Sequence, residues 1–244
     1  MRIDLDSSSR VLVLTGAGIS AESGVPTFRD ANGLWEGHDV TRVASPEGFA
    51  DDPILVWRFY AGRRAAMTGV VPNAGHRALV ELEQRLGDRF LLATQNVDGL
   101  HTAAGSQRVI EMHGNLMRTR CSVCDRAAFD DTTAYADNKL PMCGQCKQRG
   151  KDALLRPDIV WFGEMLPPGA MDRIGAFIVE AGRNLVFLAI GTSGLVFPAA
   201  GLVDATKKVG GVSWLVNLEV PANAMHFDHV VIGPAGTKLP MLFG

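Results

Sequence analysis

Four cysteines in the middle of the chain occur as two Cys-x-x-Cys pairs whose spacing suits a metal ion. Cys121 and Cys124 form the first pair, and Cys143 and Cys146 follow after eighteen intervening residues. Two such pairs at this distance are typical of zinc ribbons, in which four thiolates complete a tetrahedral shell. A complete shell leaves no position for a reacting water, so the pattern predicts one zinc ion with a structural role.

Polar residues follow directly after two apolar segments that are predicted to be strands. Gln95, Asn96 and Asp98 come after one of them, and His113 comes after the next. Ligands of open α/β sheets bind beyond the carboxyl ends of the strands, so both groups are placed to form a site. A histidine suits general base catalysis near neutral pH, although a single histidine after a strand also often serves structure alone. His101 is a second candidate for the base, for which packing or helix capping is the preferred interpretation.

Residues 16–21 read GAGISA and follow the first predicted strand, which makes them a variant of the dinucleotide-binding glycine fingerprint. Glycines there permit a tight turn and the close approach of a pyrophosphate to backbone N–H groups. The chain then enters a loop at 23–30 instead of the helix, strand and acidic residue of a dehydrogenase. The pattern favours a nicotinamide cofactor that is not used for hydride transfer, and a purely structural glycine turn stays open.

A helix predicted to begin near residue 53 carries a phenol and a guanidinium on one face. Asp52 is its expected N-cap and Pro53 its first residue. Tyr60 and Arg63 lie one turn apart, but Arg64 lies equally near Tyr60, so helix geometry does not choose between the two arginines. The pair forms either a solvated helix edge or a receptor for a carboxylate.

Buried strands that alternate with amphipathic helices have to position these residues. Strands are predicted at 11–15, 89–94, 109–112, 185–190, 212–217 and 229–232, and helices at 73–86, 170–180 and 198–209. This alternation is typical of an α/β fold with a doubly wound parallel sheet. The predicted Rossmann-like domain comprises residues 1–29, 72–115 and 152–244. Two segments interrupt the alternation and are predicted to form a smaller domain together, a helical and loop insertion at 30–71 and the zinc ribbon at 116–151.

The composition of the 244 residues excludes several classes of partner. A net charge of −2 provides no electrostatic footprint for nucleic acid. No apolar run approaches the roughly 20 residues that cross a bilayer. The first ten residues do not read as a secretion signal, so we expect a cytoplasmic location, in which cysteines stay reduced.

Together these motifs resemble those of the sirtuin family, in sirtuin order and over nearly the whole chain. The motifs are GAGIS at 16–20, PTFR at 26–29, TQNVD at 94–98, MHG at 112–114, the four cysteines, FGE at 162–164 and GTS at 191–193. Sirtuins are NAD-dependent protein lysine deacylases with a Rossmann-type domain and a small zinc domain. The resemblance therefore implies NAD as co-substrate, acyl-lysine proteins as partners, and release of nicotinamide and 2′-O-acyl-ADP-ribose.

The resemblance also assigns roles to individual residues. His113 would be the general base, and Asn96 and Asp98 would hold the nicotinamide carboxamide, which needs both a donor and an acceptor. The full set of residues expected to contact the cofactor is Gly16, Ala17, Gly18, Ser20, Phe28, Arg29, Gln95, Asn96, Asp98, Gly191, Thr192, Ser193, Asn217, Glu219 and Ala235.

A substrate peptide would bind to an extended edge formed by Phe162, Gly163 and Glu164, as an added β-strand. One departure from the family pattern is Phe197, where relatives often have Tyr, and it removes one hydroxyl near this groove.

Tyr60 and Arg63 match the pair found in sirtuins that remove dicarboxylic acyl groups such as succinyl and malonyl. Ala44 matches a small residue that leaves room for the longer chain, and Thr27 stands where many deacetylases carry Asp. The sequence therefore predicts a desuccinylase and demalonylase with weaker deacetylase activity. The alternatives are a general deacetylase, a mono-ADP-ribosyltransferase, and a non-catalytic NAD sensor or zinc-ribbon binding module.

Overall fold

The computed structural model describes residues 2–26, 34–35, 38–133, 135, 139–192 and 201–244. Its strands are β1 (Arg10–Thr15), β2 (Leu34–Trp35), β3 (His38–Asp39), β4 (Phe90–Thr94), β5 (Val109–Glu111), β6 (Gly114–Cys121), β7 (Phe129–Asp130), β8 (Leu155–Ile159), β9 (Leu185–Ile190), β10 (Val212–Asn217) and β11 (His229–Ile232). Its helices are α1 (Val40–Val43), α2 (Pro46–Asp51), α3 (Pro53–Ala66), α4 (Ala74–Leu86), α5 (Leu100–Ala104), α6 (Gly144–Gln148), α7 (Ala170–Ala181), α8 (Leu202–Lys208) and α9 (Ala235–Phe243). None of these helices has both the length and the apolar character needed to cross a bilayer.

The largest sheet in the described residues consists of six parallel strands in the order β11-β10-β9-β1-β4-β5. From β1 the chain adds β4 and β5 on one side, then returns to add β9, β10 and β11 on the other. This is the strand order of a Rossmann fold, with its reversal between β1 and β9. Each of the six predicted strands is confirmed to within one residue at its ends. The predicted fold class, an α/β fold with a doubly wound parallel sheet, is confirmed as well.

Both faces of this sheet are buried, which explains the near-continuous apolar strands. In β1, Val11 and Val13 pack with Leu79 of α4 on one face. Leu12 and Leu14 pack on the opposite face, in the layer that contains α7 and α8. All four β1 side chains are fully buried or nearly so, and each stabilises the fold by about 1.5–3 kcal/mol relative to an exposed position.

Helices α3 and α4 begin at side-chain caps that are visible in the sequence. The Asp52 carboxylate accepts a hydrogen bond from the N–H of Leu55, and Pro53 is the first residue of α3, as predicted. Asn73 caps α4 by accepting from the N–H of Gly75 at 2.9 Å. Residues 198–200 of the third predicted helix lie outside the described residues, and α8 covers its remainder nearly to the predicted end.

A second, smaller group of elements joins the helical insertion to the cysteine-bearing segment. Strands β7, β6 and β8 form an antiparallel sheet, and β2 pairs with β3. A core cluster unites residues of α1 to α3, such as Val56 and Tyr60, with Leu116 of β6 and with Trp161. Strand β8 lies beyond residue 151, where the sequence predicts the end of the zinc ribbon, yet it pairs with β6.

Gly114 links the two groups of elements, because it follows His113 and opens β6. Its φ angle is +82°, and a Cβ there would lie 2.0 Å from the carbonyl oxygen of Asp158. The backbones of β6 and β8 can approach this closely only because the residue has no side chain.

We expect Gly114→Ala to destabilise the protein more than Gly69→Ala does. Gly69 has a similar φ of +78°, but a Cβ there would meet no atom of the described residues within 4 Å. Gly69→Ala should cost about 1–2 kcal/mol of backbone strain, and Gly114→Ala about 1–3 kcal/mol more because of the clash. Urea unfolding of both variants measures the difference, and equal losses would show that β8 moves aside without cost.

Candidate active site

Two glycine-containing loops meet where the strand order reverses, beyond the carboxyl ends of β1 and β9. The N–H of Gly18 donates to the carbonyl oxygen of Gly191 at 2.8 Å. A Cβ on Gly18 would lie 2.6 Å from the Gly191 Cα, and one on Gly16 would lie 2.8 Å from the Thr192 Cβ. The glycines are therefore needed for the contact between the loops. After this turn the chain continues as two short 3-10 turns, Ala17–Ile19 and Ala21–Ser23, instead of a long helix.

Ser20, Asn96 and Asp98 come together beside these loops and are called the acceptor cluster below. The Asn96 Nδ2 donates to the Gly16 carbonyl at 3.1 Å and to the Ser20 Oγ at 3.2 Å. The Ser20 hydroxyl donates to the Asp98 carboxylate at 2.7 Å. Because the protein uses both protons of the Asn96 amide, the cluster offers oxygen acceptors, and the predicted donor for a carboxamide has to come from another group.

His113 lies at the turn between β5 and β6 with its ring oriented by Gln95. The His113 Nδ1 lies 2.9 Å from the Gln95 carbonyl oxygen, which can only accept, so Nδ1 carries the proton and Nε2 has the lone pair. Burial lowers the pKa of His113, and the bond to Gln95 offsets part of this effect. The ring is therefore neutral at pH 7 and can accept a proton at Nε2. Gln95 also accepts, through Oε1, from the Thr192 hydroxyl at 2.8 Å.

The remaining residues predicted to contact a cofactor are more dispersed. Asn217 ends β10, and its Oδ1 accepts from the next backbone N–H at 3.0 Å, while Glu219 is exposed just beyond it. Ala235 begins α9 and is buried in the core. Five residues named from the sequence lie outside the described residues, namely Thr27, Phe28, Arg29, Ser193 and Phe197.

The Tyr60 ring on α3 is fully buried, so the alternative of a solvated helix edge is wrong for this residue. The Trp161 indole N–H donates to the Tyr60 hydroxyl oxygen at 3.0 Å. Burial raises the pKa of Tyr60, so the phenol is neutral at physiological pH. Arg63 is half-buried on the same helix, with its guanidinium 5.7 Å from the centre of the Phe59 ring.

Helix geometry does not decide which of Arg63 and Arg64 acts together with Tyr60. The contacts of Arg64 give that residue a different role. Arg64 is 5% exposed, and its guanidinium donates to the carbonyl oxygens of Leu116 and Arg118. It also lies 3.7 Å from the Asp131 carboxylate. Arg64 therefore holds α3 against the small sheet, a role that no local sequence signal reveals.

Residues 161–164 form a turn, and not the extended edge expected from the sequence. The N–H of Glu164 donates to the Trp161 carbonyl, and Gly163 has a φ of +86°. Phe162 is 57% exposed, and its N–H donates to the Ala44 carbonyl at 2.9 Å. The turn forms because Glu164 is drawn inward by two arginines. Its carboxylate contacts Arg156 at 2.6 Å and Arg120 at 3.2 Å.

The four cysteines converge, as their spacing predicts. Their sulfur atoms all lie within 4.8 Å of one another, with separations of 3.7 Å for Cys121 and Cys146 and 3.8 Å for Cys124 and Cys143. A regular tetrahedron with Zn–S bonds of about 2.3 Å has edges of about 3.8 Å, so the cluster fits a structural zinc ion.

Two buried histidines lie close to the acceptor cluster, of which the sequence singles out only His101, as a second candidate for the base. The His76 and His101 rings lie 4.8 Å apart, and His101 is 2% exposed, which confirms its interpretation as a packed residue. Burial lowers the pKa of His76 to about 4 and that of His101 to about 3. The two histidines stand out only because they are buried together near the strand ends, and the sequence does not show that they meet.

Residues 16–198 match the Sir2 family. An NAD-dependent protein deacylase of Caulobacter vibrioides is 47% identical over 234 residues, which cover 95% of this chain and 94% of the relative. One of Salmonella typhimurium is 46% identical over 239 residues, which cover 97% of this chain and 84% of the relative. Both likenesses extend over nearly the whole chain.

Two solved structures show the same likeness in three dimensions. A Sir2 homologue in complex with NAD has a TM-score of 0.84 and 41% identity, with 96% of this chain and 88% of the other covered. A Sir2 protein bound to an acetylated peptide has a TM-score of 0.78 and 28% identity, with 95% and 91% covered.

We expect one zinc ion per chain, and its loss on Cys143→Ser. A missing thiolate opens the shell, so the variant should release the metal and lose several kcal/mol of unfolding free energy. Metal analysis and thermal unfolding measure both effects. Val123→Ser, which changes an exposed residue between two of the cysteines, is the matched control and should keep its zinc. A Cys143→Ser protein of unchanged metal content would contradict the four-thiolate site.

We expect the free energy of unfolding to fall as the pH drops below 6.5. The unfolded chain protonates His76 and His101 near that pH, whereas the folded pKa values of about 4 and about 3 keep both rings neutral. Stability is therefore complete above pH 6.5 and decreases towards pH 4, by about 1.5 kcal/mol per histidine at pH 5.5. Urea unfolding at pH 7.5 and 5.5 measures the loss. His101→Gln should lose less over this interval, and a loss equal to that of the parent would contradict the explanation.

Proposed function

The chain belongs to the Sir2 family and is an NAD-dependent protein deacylase, and we propose that its preferred substrates are lysines that carry succinyl or malonyl groups. Acetyl groups would be removed more slowly. The observation that carries the proposal is the buried, neutral phenol of Tyr60 on the same helix as Arg63.

The Tyr60 hydroxyl is suited to donate to a carboxylate. In the described part of the chain it accepts the bond from the Trp161 indole and donates none, so its own proton is available. Its neutral state keeps that proton on the oxygen at physiological pH. A succinyl chain ends in a carboxylate, which only accepts hydrogen bonds when ionised.

Arg63 would supply the charge that a dicarboxylic acyl group requires. The positive charges of Arg63 and Arg156 act on the Tyr60 hydroxyl, and the negative charge of Glu164 opposes them. We assign to Arg63 the bidentate contact with the acyl carboxylate, because it lies one helical turn from Tyr60 and the two match the Tyr-x-x-Arg pair of sirtuins that remove dicarboxylic acyl groups.

Ala44 would leave room for the longer acyl chain. Its carbonyl oxygen holds the N–H of Phe162, so this small residue borders the turn at 161–164. Because the Ala44 side chain is a single methyl group, the acyl chain could extend past it towards α3. The substrate backbone would lie against the exposed part of that turn, beside Phe162.

The residues that follow the strand ends would have separate roles in the reaction. NAD supplies an electrophilic ribose carbon and a leaving group, nicotinamide. His113 would take a proton at Nε2 from a ribose hydroxyl, because Gln95 fixes the proton of the ring on Nδ1. The acceptor cluster would bind the N–H groups of the nicotinamide carboxamide.

We expect Tyr60→Phe and Arg63→Met each to lower kcat/KM for a succinyl-lysine peptide by about 10–150-fold. Each change removes a hydrogen bond to a charged group, which contributes about 1.5–3 kcal/mol. With the acetyl-lysine form of the same peptide the change should stay below about threefold. Mass spectrometry of the peptide products, with and without NAD, measures both rates.

Arg58→Met is the matched control, because Arg58 is an exposed arginine of the same helix. It should leave both rates unchanged, whereas His113→Ala should abolish both. Equal or acetyl-favouring rates in the unmodified protein would contradict the proposal and indicate a general deacetylase. Transfer of ADP-ribose to protein without deacylation would indicate a mono-ADP-ribosyltransferase, and NAD binding without turnover an NAD sensor.

A further inference from the structure

A chain of hydrogen bonds connects the buried His101 to the strand ends below the acceptor cluster. The His101 Nε2 lies 2.9 Å from the Thr15 hydroxyl, which donates to the Thr94 hydroxyl at 2.8 Å. The Thr94 oxygen also accepts from the backbone N–H of Asn96 at 3.1 Å. Thr15 and Thr94 end β1 and β4 and occupy the same register position, so the sheet itself aligns them.

The same chain returns to His101 through the acceptor cluster. The Asn96 side chain donates to Ser20, and Ser20 donates to one oxygen of Asp98. The other Asp98 oxygen accepts from the backbone N–H of Leu100 at 2.9 Å. Leu100 precedes His101 in α5. The hydrogen bonds, together with the covalent links within Asn96 and between Leu100 and His101, therefore form a closed ring that contains every member of the cluster.

The proton positions on two buried histidines follow from their hydrogen-bond partners. The backbone N–H of Asn73 donates to the His76 Nδ1, so neutral His76 carries its proton on Nε2. The Thr15 hydroxyl donates to Thr94, so it accepts from His101, whose proton is therefore on Nε2. This leaves the N–H of the His76 Nε2 and the lone pair of the His101 Nδ1, both buried and neither with a hydrogen-bond partner among the described residues.

We propose that His101 is a positioning residue for the nicotinamide half of the cofactor, acting through this ring on Asn96 and Asp98. The inference rests on the proposed binding of the carboxamide by the acceptor cluster. The His101 N–H sets the Thr15 and Thr94 hydroxyls, and these fix the Asn96 backbone. Asn96 then presents its side-chain oxygen, and Asp98 the unused lone pairs of its carboxylate, in one fixed arrangement. His101 itself is 2% exposed, so its effect on the cofactor would pass through the ring.

The test compares His101→Gln with His101→Met. Both side chains are flexible and of similar size, but only Gln can place an N–H near the position of Nε2. The measurements are the Kd values for NAD and for ADP-ribose without acylated peptide, kcat and KM for NAD with acetyl-lysine peptide, and the thermal midpoint. ADP-ribose lacks nicotinamide, so the ratio of the two Kd values isolates the nicotinamide half.

We expect His101→Met to weaken NAD binding relative to ADP-ribose binding by about tenfold and to lower kcat similarly, as a misplaced acceptor would. His101→Gln should stay within about threefold of the unmodified protein in both quantities, even if its thermal midpoint falls as far as that of His101→Met. Equal Kd ratios and equal kcat values in the two variants would overturn the proposal and leave His101 with packing alone.

If His101→Met does not fold, Thr15→Val and Thr15→Ser provide a second pair, because Val keeps the shape of Thr and only Ser keeps its hydroxyl. Thr15→Val should weaken NAD binding relative to ADP-ribose binding by about tenfold, and Thr15→Ser should not. Equal Kd ratios in these two variants would overturn the proposal. The Kd ratio requires neither turnover nor a preference for succinyl groups. A failure of the proposed acyl preference is therefore distinguishable from a failure of the ring.

Discussion

The contact between the backbones of Gly18 and Gly191 is the constraint on which the site depends. Two adjacent parallel strands, β1 and β9, end at the same level, and the loops that leave them have to turn away in opposite directions. They can touch through N–H and C=O groups only where side chains are absent. Thr192, next to Gly191, holds the Gln95 side chain, and the Gln95 carbonyl orients His113. The orientation of the His113 ring is thus linked, through Thr192 and Gln95, to a contact between two glycines.

The smaller group of elements solves a different problem, which is to bury polar side chains inside a modest core. Tyr60 and Trp161 pack in that core, and their polar atoms bond to each other. Two buried guanidinium groups are each matched by an acceptor: Arg64 of α3 donates to the Leu116 carbonyl of β6, and Arg156 of β8 pairs with the Glu164 carboxylate in the turn that follows. The four cysteines fit a zinc ion at the far end of the same sheet, where a long irregular segment provides little apolar surface. Such a metal site stabilises a fold that hydrophobic burial alone would leave marginal.

Features that local sequence specifies were predictable, and features that depend on distant partners were not. The buried strands, the Asp52 cap and the cysteine cluster each follow from spacing within a short segment. The role of Arg64 depends on Asp131, and the ring around His101 depends on Thr15 and Thr94, which are brought together only by the parallel register. The turn at 161–164 was missed for the same reason, since Glu164 turns inward towards Arg120, a residue of another strand.

The central position of β1 also affects how the protein is made. β1 pairs with β4 on one side, so that half of the sheet can assemble once about a hundred residues have been synthesised. Its other edge has to wait for β9, whose residues follow nearly a hundred positions later. Until then an apolar strand edge is open to solvent, and such edges invite pairing with other chains. The nascent chain therefore depends on rapid elongation or on chaperones, and the loop that follows β1 gains its partner only when β9 has left the ribosome.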